Sequence, residues 1–356
     1  MTKAMKNTLI FGKSRLTLFL VIGILVSACG TVERPSKPSA SGRAGELLAV
    51  MDTRLWEGQV GQAFRDVFRA PITTLNQPEP MFNVIHIPTR DFAKIFETHR
   101  HIFFLEIDQT LSSPSIEITR DTWSYPQLVV RVTAPDTESA IRIVKNNAET
   151  FYDRYLGVEY LRLQNAYSRM INSTSQSAVK NMFGIEMTIP EGYLLAYEGD
   201  DFIWLRKSAT NEEFDQAIMI WTRDYTDPAI DFNEDVIWAR RDSITKQYIA
   251  GQFADTYMTT YSSGREILRP EFREIDFKGK YAIEARSLWR VQGDFMGGPF
   301  VTYTFVDEKT NRLFMMDAWV FAPRYAKRDY MRQIEAIIWS TKFPENEKTE
   351  EKATDS

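Results

Sequence analysis

Two of the three histidines lie close together in the sequence, at His99 and His101. Residues two apart on a β-strand point to the same face, so the two imidazoles could bind one metal ion. A zinc site needs a further protein ligand, and the sequence does not identify one. The other interpretation is a polar entry to a strand. We therefore assign no metal ligand and no cofactor.

A serine and a lysine have the spacing of a catalytic pair. Ser177 and Lys180 fit the S-x-x-K pattern of penicillin-interacting enzymes, in which an amine on the same helix face activates the hydroxyl. Lys309-Thr310-Asn311 is one residue away from the K-T-G companion, but it has the composition of a hairpin turn. No S-x-N or Y-x-N tripeptide lies between the two segments. The pattern is short enough to arise by chance.

Other catalytic signatures are missing from the sequence. It contains no G-x-S-x-G, P-loop, G-x-G-x-x-G or H-E-x-x-H motif. Paired carboxylates could hydrolyse a glycosidic bond, but only a cleft of defined geometry identifies such a pair. The acidic pairs fall mostly in turns or at a helix start, and we leave the catalytic residues unassigned. These pairs are Asp200-Asp201, Glu212-Glu213 and Glu234-Asp235.

Glycines, basic residues and tryptophans offer further binding chemistry. Two glycines in Met296–Phe300 permit a close backbone approach, and we interpret them as a turn or bulge between strands. Arg240-Arg241-Asp242 and Lys327-Arg328-Asp329 could bind an anion, but we expect ion pairs on helix surfaces. Four tryptophans fall in strand-like segments and are expected in the core, whereas exposed ones would indicate glycan or protein recognition. They are Trp204, Trp221, Trp289 and Trp319.

The only cysteine, Cys29, follows a segment with the features of a signal peptide. Four basic residues precede an apolar run from Leu16 to Val26, which is too short to span a bilayer as a helix. Val26-Ser27-Ala28-Cys29 resembles the lipobox of bacterial lipoproteins. The resemblance implies a diacylglyceryl thioether on Cys29 and cleavage before it. Gly30 follows the cysteine, and by resemblance to the enteric sorting rule this leaves delivery to the outer membrane open.

The net charge limits the classes of partner that the protein is expected to bind. Removal of residues 1–28 would leave 39 basic and 48 acidic residues, a formal net charge of −9. Non-specific nucleic-acid binding needs basic surface, so we expect no nucleic acid as a partner. No polybasic segment is present to hold anionic lipid. Membrane attachment is therefore expected through the lipid on Cys29 alone.

The chain of 356 residues is long enough for two domains, and one cysteine excludes a disulfide framework. Thr31–Arg43 is rich in Pro, Ser and Gly, and the polar Ile171–Lys180 indicates a domain boundary. We predict a signal peptide at 1–28, a flexible tether at 29–44, an N-terminal α/β domain at 45–172, a C-terminal α+β domain at 183–344 and a disordered tail at 345–356.

Apolar periodicity predicts the elements. In the first half, Asp91 and Asp136 are expected to cap helices, and Gly157 to break the longer one. In the second half, strands surround a helix at 233–249 and precede a final helix at 328–339. The fold class is α+β, with two α/β sandwich-like halves, and in the C-terminal half helices cover an antiparallel sheet. Ile189–Tyr193 and the segment after the last helix are similar to the PsbP-like fold.

Six stretches spread over the chain resemble an uncharacterised family of Bacteroidota lipoproteins, domain of unknown function 4837. They are GRAGELLAVMD (42–52), NQPEPMFNV (76–84), HRHIFF (99–104), WLR (204–206), MGGPF (296–300) and KRDYMRQIEAII (327–338). The resemblance implies a lipidated protein of the bacterial cell envelope and supplies no reaction or ligand.

We predict a non-enzymatic binding or envelope-assembly factor, whose partner is another envelope protein or a glycan. One alternative is an envelope hydrolase that acts on glycan or peptidoglycan. A third interpretation is a carrier of a metal or small ligand.

Overall fold

The computed structural model describes residues 37–209, 213–263, 266, 267 and 269–344. The described strands form two large sheets, one on each side of residue 170, and one two-stranded ribbon. We call residues 39–170 the N-terminal half and residues 171–344 the C-terminal half. Helices and strands occur in both halves, which confirms the predicted α+β class.

The N-terminal half contains a five-stranded sheet in the order β2-β1-β3-β5-β4. The first four strands in this order are parallel, and β4 pairs antiparallel with β5 at the edge. The central strands have continuous apolar runs, Leu47–Val50 and Ile102–Leu105, because helices or loops cover both faces. The strands are β1 (Glu46–Val50), β2 (Asn83–Ile87), β3 (His101–Ile107), β4 (Ser115–Arg120) and β5 (Leu128–Ala134).

Helices cover one face of this sheet, and the segment around Phe92, Phe96 and Trp123 covers the other. Phe64 and Phe68 from one helix pack with Phe151 and Tyr155 from another in a single aromatic cluster. The helices are α1 (Thr53–Glu57), α2 (Gln59–Phe68), α3 (Lys94–Glu97), α4 (Thr137–Asn146) and α5 (Ala148–Tyr167).

The helix boundaries differ in part from the prediction. Asp136 caps α4 as expected, since its carboxylate accepts a hydrogen bond from the N–H of Ser139. The break comes at Asn147, and α5 runs through the exposed Gly157, because burial of Leu156, Val158 and Tyr160 on its other face stabilises the helix more than one glycine weakens it. Asp91 caps no α-helix, because it ends a 3₁₀ turn and α3 begins after Ala93.

The C-terminal half contains an eight-stranded antiparallel sheet in the order β12-β13-β14-β15-β8-β7-β6, with β9 also paired to β13. The strands are β6 (Leu194–Glu198), β7 (Phe202–Ser208), β8 (Asp215–Asp224), β9 (Tyr257–Thr260), β12 (Glu271–Phe277), β13 (Lys280–Gln292), β14 (Gly297–Asp307) and β15 (Arg312–Phe321). The separate ribbon pairs β10 (Ser262–Ser263) with β11 (Glu266–Ile267).

Helices lie on both faces of this sheet. Residues 218 and 220 of β8 pack under α6 (Ser173–Phe183) and α9 (Arg328–Ile338), whereas residues 217 and 219 pack under α8 (Glu234–Tyr248). This alternation is what a strand between two layers requires. The short α7 (Pro228–Asp231) precedes α8.

The polar segment Ile171–Lys180, expected as a domain boundary, is mostly helical. Asn172 caps α6 through the N–H of Ser175, and Gly184 ends the helix with a φ of 70°. Val179 is fully buried under the helix. One buried valine was too weak a signal for an amphipathic helix, although it anchors α6 to the C-terminal sheet.

The two halves are joined by the packing of α5 against α9. Leu156 and Tyr160 of α5 bury Ala336 of α9, and residues from Ser39 onwards form one compact unit. This unit starts at Ser39, whereas the predicted tether extends to residue 44. The N–H of Ser41 donates to the carbonyl of Thr98 at 2.8 Å, which ties residues 39–44 to the N-terminal half.

Candidate functional site

His99 and His101 belong to a network of hydrogen bonds around Glu159 of α5. The Nε2 of His101 is 2.7 Å from the carboxylate of Glu159, and Nη1 of Arg100 donates to both carboxylate oxygens at 2.8 Å. The Nε2 of His99 is 3.4 Å from the carboxylate of Glu46. The two imidazoles thus have different partners. In the part of the chain that the structure describes, no group of three His, Cys, Asp or Glu side chains could hold a metal.

Protonation in this network is fixed at neutral pH. Burial lowers the pKa of His99 and of His101 more than their carboxylate partners raise it. Burial alone would raise the pKa of Glu159, but the hydrogen bond from His101 and the charge of Arg100 outweigh it and lower the pKa to about 2. The network therefore joins the start of the folded chain to α5 and is not set to transfer a proton near pH 7.

The Ser177–Lys180 pair lies on the surface of α6. Ser177 is exposed, and Nζ of Lys180 is bound to the carboxylate of Glu186. Lys309-Thr310-Asn311 forms the turn between β14 and β15, where the hydroxyl of Thr310 donates to Asp307 at 2.6 Å. This geometry does not support a serine hydrolase, because the amine binds a carboxylate and the serine lies exposed on the helix surface.

The acidic pairs lie apart from one another. Asp201 is bound by Arg312 beside a turn, and Glu234 and Asp235 start α8, where Arg269 pairs with both. Glu213 pairs with Arg324 at 3.4 Å, and Glu212 lies outside the described residues. These carboxylates serve in turns, at a helix start and in surface ion pairs.

The glycines of Met296–Phe300 permit close strand packing. A Cβ on Gly298 would lie 2.0 Å from the carbonyl oxygen of Val320, so only glycine fits there. Trp289 and Trp319 are buried beside this point, and Trp204 and Trp221 pack against the same cluster. The expectation that these four tryptophans belong to the core is confirmed.

The basic runs are buried, so the expectation of helix-surface ion pairs was wrong. Arg241 is 2% exposed, and its Nε donates to Asp317 of β15 at 2.7 Å. The guanidinium of Arg241 also lies 3.5 Å from the ring centroid of Phe300. Lys327 and Arg328 are buried as well, at the start of α9. A carboxylate on a distant strand compensates Arg241, whereas Arg328 binds the neighbouring Asp329 at 2.9 Å and the carbonyl of Pro80 at 2.8 Å.

A cleft of about 730 Å³ lies between the two halves. One wall consists of the end of α2, the loop after it and the start of α5, and the other consists of β12 and β13. Apolar side chains form much of the lining. They include Val67, Ile72, Met81, Tyr152 and Phe272.

Arg286 and Glu284 form the base of this cleft and belong to a buried polar network where β13, β14, α5 and α9 meet. Arg286 of β13 pairs through Nε and Nη2 with Glu284 at 2.9 Å, and through Nη1 and Nη2 with Glu335 of α9 at 2.9 and 2.7 Å. The hydroxyls of Tyr160 and Tyr303 both donate to Glu335. All of the hydrogen-bonding partners of this guanidinium are thus fixed by packed elements.

These groups keep one protonation state around neutrality. Burial raises the pKa of Tyr160 and of Tyr303 well above 10. Burial would raise the pKa of Glu284, but Arg286 outweighs it and lowers the pKa. Burial would lower the pKa of Arg286, but the charges of Glu284 and Glu335 outweigh burial and raise the pKa above its ordinary value. A general acid or base needs a pKa near the working pH, so this base supplies fixed charge and shape.

The rim of the cleft is acidic. Nη1 of Arg273 donates to Glu149 at 2.8 Å and to Asp153 at 3.3 Å, and its Nη2 lies 3.5 Å from Glu284. Burial raises the pKa of Asp153 despite the charge of Arg273. The lining as a whole has four carboxylates and two guanidiniums, a formal net charge of −2. These are Asp66, Glu149, Glu271 and Glu284 against Arg273 and Arg286.

The loop that closes one wall is fastened to α9 by Glu79. The carboxylate of Glu79 accepts the backbone N–H groups of Lys327 and Arg328 at 2.6 and 2.9 Å. Nη2 of Arg332 donates to the carbonyl of Met81 at 2.6 Å. Reasoning from sequence missed Glu79 as a cap. Two of the stretches that carried the family resemblance, 76–84 and 327–338, contact each other here through Glu79. Their shared resemblance was the one sequence signal that could have indicated the contact.

Three predicted features fall wholly or partly outside the described residues: Cys29 with its signal peptide, residues 29–36 of the tether, and the tail at 345–356. Within the described ranges, no helix has the length and apolar character needed to cross a membrane.

Family models match two adjacent parts of the chain. Residues 40–168 match Domain of unknown function (DUF8532), and residues 172–340 match Domain of unknown function (DUF4837). No curated protein matches the sequence. Among solved structures, human StAR-related lipid transfer protein 5 is similar at 10% identity over 49% of this chain and 97% of that one, with a TM-score of 0.22, too low to support a conclusion. The match confirms the predicted resemblance to DUF4837 for residues 172–340, whereas the predicted stretches at 42–52, 76–84 and 99–104 lie in the part that matches DUF8532.

Proposed function

We propose that this protein is a lipid-anchored component of the bacterial cell envelope that binds a partner and catalyses no reaction. Cys29 carries the lipid and holds the protein in the outer membrane. The lipobox-like segment before Cys29 supports the anchor, and the resemblance to envelope lipoproteins supports the location.

The observation that carries the binding proposal is the cleft between the halves. Its volume of about 730 Å³ is in the range of ligand sites. Its walls are largely apolar, and its base holds a small number of polar groups in fixed positions. A site of this kind takes an amphipathic ligand, with the apolar part on the walls and the polar part at the base and rim.

The charge of the cleft restricts the polar part of the ligand. The lining has a formal net charge of −2, and both guanidiniums are already paired with carboxylates. An anionic group would find no free cation among these lining residues, whereas a cationic or neutral group fits the acidic rim. The acidic cleft argues against nucleic acid, and so does the formal net charge of −5, which would become −9 on removal of residues 1–28.

The base of the cleft does not supply the carboxyl pair that the alternative of a glycan or peptidoglycan hydrolase requires. A glycosidase needs one carboxyl with a raised pKa beside an ionised one. Here Arg286 bridges Glu284 and Glu335, and the pKa of Glu284 is lowered. Glu284 is therefore held as a carboxylate, and Arg286 occupies the oxygens of both side chains.

A cleft-filling substitution tests the proposal. Ala148 lines the cleft at the start of α5, and Ala166 is exposed near the end of the same helix. In the mature chain with Cys29→Ser, we expect N-phenyl-1-naphthylamine, an apolar neutral fluorophore, to bind with increased emission. We expect Ala148→Trp to weaken binding at least tenfold and Ala166→Trp to leave it unchanged. Equal binding by both variants would exclude the cleft as the site.

A further inference from the structure

The cleft runs along the free edge of the C-terminal sheet. Among the described strands, β12 is the last in that sheet and pairs only with β13. Phe272 packs towards the α8 face, while Ile275 and Phe277 belong to the α9 face with Arg273. Successive side chains of a strand point to opposite faces. Since both Phe272 and Arg273 line the cleft, the cleft must follow the edge between the two faces.

The register shows which backbone groups of β12 point outward. The N–H of Tyr261 donates to the carbonyl of Leu288 at 2.7 Å, on the side of β13 that β12 also occupies. Backbone groups alternate in direction along β13, so the N–H and C=O groups of Arg286 and Glu284 also point towards β12. There they form the ladder hydrogen bonds with the backbone of Glu271 and Arg273, respectively.

The intervening residues of β12, Phe272 and Glu274, therefore present their N–H and C=O groups away from β13. Within the described ranges, no backbone hydrogen bond outside the β12–β13 ladder reaches either residue. An unpaired row of this kind is a template for another strand.

We propose that the cleft receives an extended peptide segment, which adds to β12 as a further strand. This inference rests on the proposed function of the cleft and names its ligand class. A peptide supplies N–H and C=O groups at the repeat that an unpaired strand edge requires. A glycan lacks that repeat, and an acyl chain has no such groups, so neither would satisfy the outward groups of Phe272 and Glu274.

The two faces of β12 determine the side chains of this peptide. On the α9 face, Arg273 is surrounded by Glu149, Asp153 and Glu284, so carboxylates outnumber cations. A Lys or Arg side chain of the peptide fits that face. On the α8 face, half-buried Phe272 offers apolar contact. The segment therefore alternates basic and apolar residues.

Two synthetic peptides test the charge and the alternation. One has seven residues of alternating Val and Lys, and the matched control has Glu in place of Lys. With the mature chain carrying Cys29→Ser, we expect saturable binding of the Val/Lys peptide by calorimetry and at least tenfold weaker binding of the Val/Glu peptide. Equal affinities would overturn the charge assignment.

A backbone substitution tests strand addition itself. Glu274→Pro removes an outward N–H and leaves the ladder bonds of Arg273 and Ile275 in place, a position at which edge strands tolerate proline. Glu274→Ala is the matched control, and thermal unfolding checks that both variants fold. We expect the Val/Lys peptide to bind Glu274→Pro at least tenfold more weakly than Glu274→Ala. Equal binding would overturn the proposal.

A measurement on the unsubstituted strand decides the matter if the proline variant does not fold. We expect the Val/Lys peptide to slow amide exchange at Phe272 and Glu274 at least tenfold, because both N–H groups then donate to the peptide. Unchanged exchange would overturn strand addition. The fluorophore separates the two proposals: if it binds the cleft but the peptide does not bind, only strand addition fails, and if neither binds, both fail.

Discussion

Single buried charges in this chain are held by partners on distant elements. Arg241 of α8 meets Asp317 of β15, and Glu159 of α5 meets Arg100 and His101 near the start of β3. Removal of one member of such a pair leaves the other charge buried without compensation, which costs about 3–5 kcal/mol. These residues are therefore the points at which single substitutions affect the fold most.

Asp317→Ala tests this reasoning on the Arg241 pair. The guanidinium is 2% exposed and would lose its carboxylate, so we expect a loss of about 3–5 kcal/mol in urea unfolding. The control is Glu138→Ala, which removes an exposed partner of Arg142 and is expected to cost below about 0.5 kcal/mol. Similar losses in the two variants would contradict the account.

Glu159 should make the fold sensitive to acid. Its pKa is about 2 in the folded chain against an ordinary 4.5, so unfolding takes up a proton in that interval and stability falls as pH drops from about 4.5 to 2. At 1.36 kcal/mol per unit, the loss is about 3 kcal/mol. We expect Glu159→Gln to flatten the pH dependence in this window, and Glu138→Gln to retain it. An unchanged profile for Glu159→Gln would exclude Glu159 as the source.

The lowered pKa values of His99 and His101 add to this sensitivity at higher pH. Their imidazoles take up protons near pH 6.5 only after unfolding, so stability also falls as pH drops below about 6.5. We expect a His101→Gln variant, although less stable, to show a shallower loss between pH 6.5 and 5 in urea unfolding. A slope equal to that of the parent would contradict the assignment.

Cys29 is expected to carry the lipid. It is the only cysteine, so a thioether-linked acyl label can attach nowhere else on a side chain. We expect radiolabelled palmitate to label the parent chain and a Ser27→Ala control, and we expect no label on Cys29→Ser. Label retained on Cys29→Ser would contradict the anchor.

At the scale of elements, prediction succeeded where apolar periodicity was strong. The helix at 328–339 appears close to its predicted limits because it presents many apolar residues to the core. Prediction failed where a distant residue decides the outcome. Glu79 caps α9, which has no side-chain cap of its own, and neighbours in the sequence give no sign of it.

Glu79→Ala tests the cap supplied by the loop. Loss of the carboxylate leaves the N–H groups of Lys327 and Arg328 without that partner, so we expect a destabilisation of about 0.5–2 kcal/mol in urea unfolding. Glu57→Ala, at an exposed position on α1, is the control and should lie within about 0.5 kcal/mol of the parent. No difference between the two variants would show that the loop does not stabilise α9.

At the scale of the whole molecule, the candidate site exists only because the two halves pack together. Its walls combine α2, the start of α5 and the β12–β13 hairpin, which are far apart in the sequence. Local spacing drew attention instead to His99, His101, Ser177 and Lys180, which lie in a structural network or on the surface. The class of fold could be predicted from periodicity, but a cleft between halves could not, because tertiary packing alone creates it.

Thiol protection at the cleft tests the central claim most directly. Cys29→Ser removes the only cysteine, so Ala148→Cys places a single thiol in the cleft and Ala166→Cys places one on the exposed side of α5. We expect saturating N-phenyl-1-naphthylamine to slow alkylation of Ala148→Cys at least fivefold and to leave the rate at Ala166→Cys unchanged. Equal alkylation rates with and without the fluorophore at Ala148→Cys would contradict the claim that the cleft is a binding site.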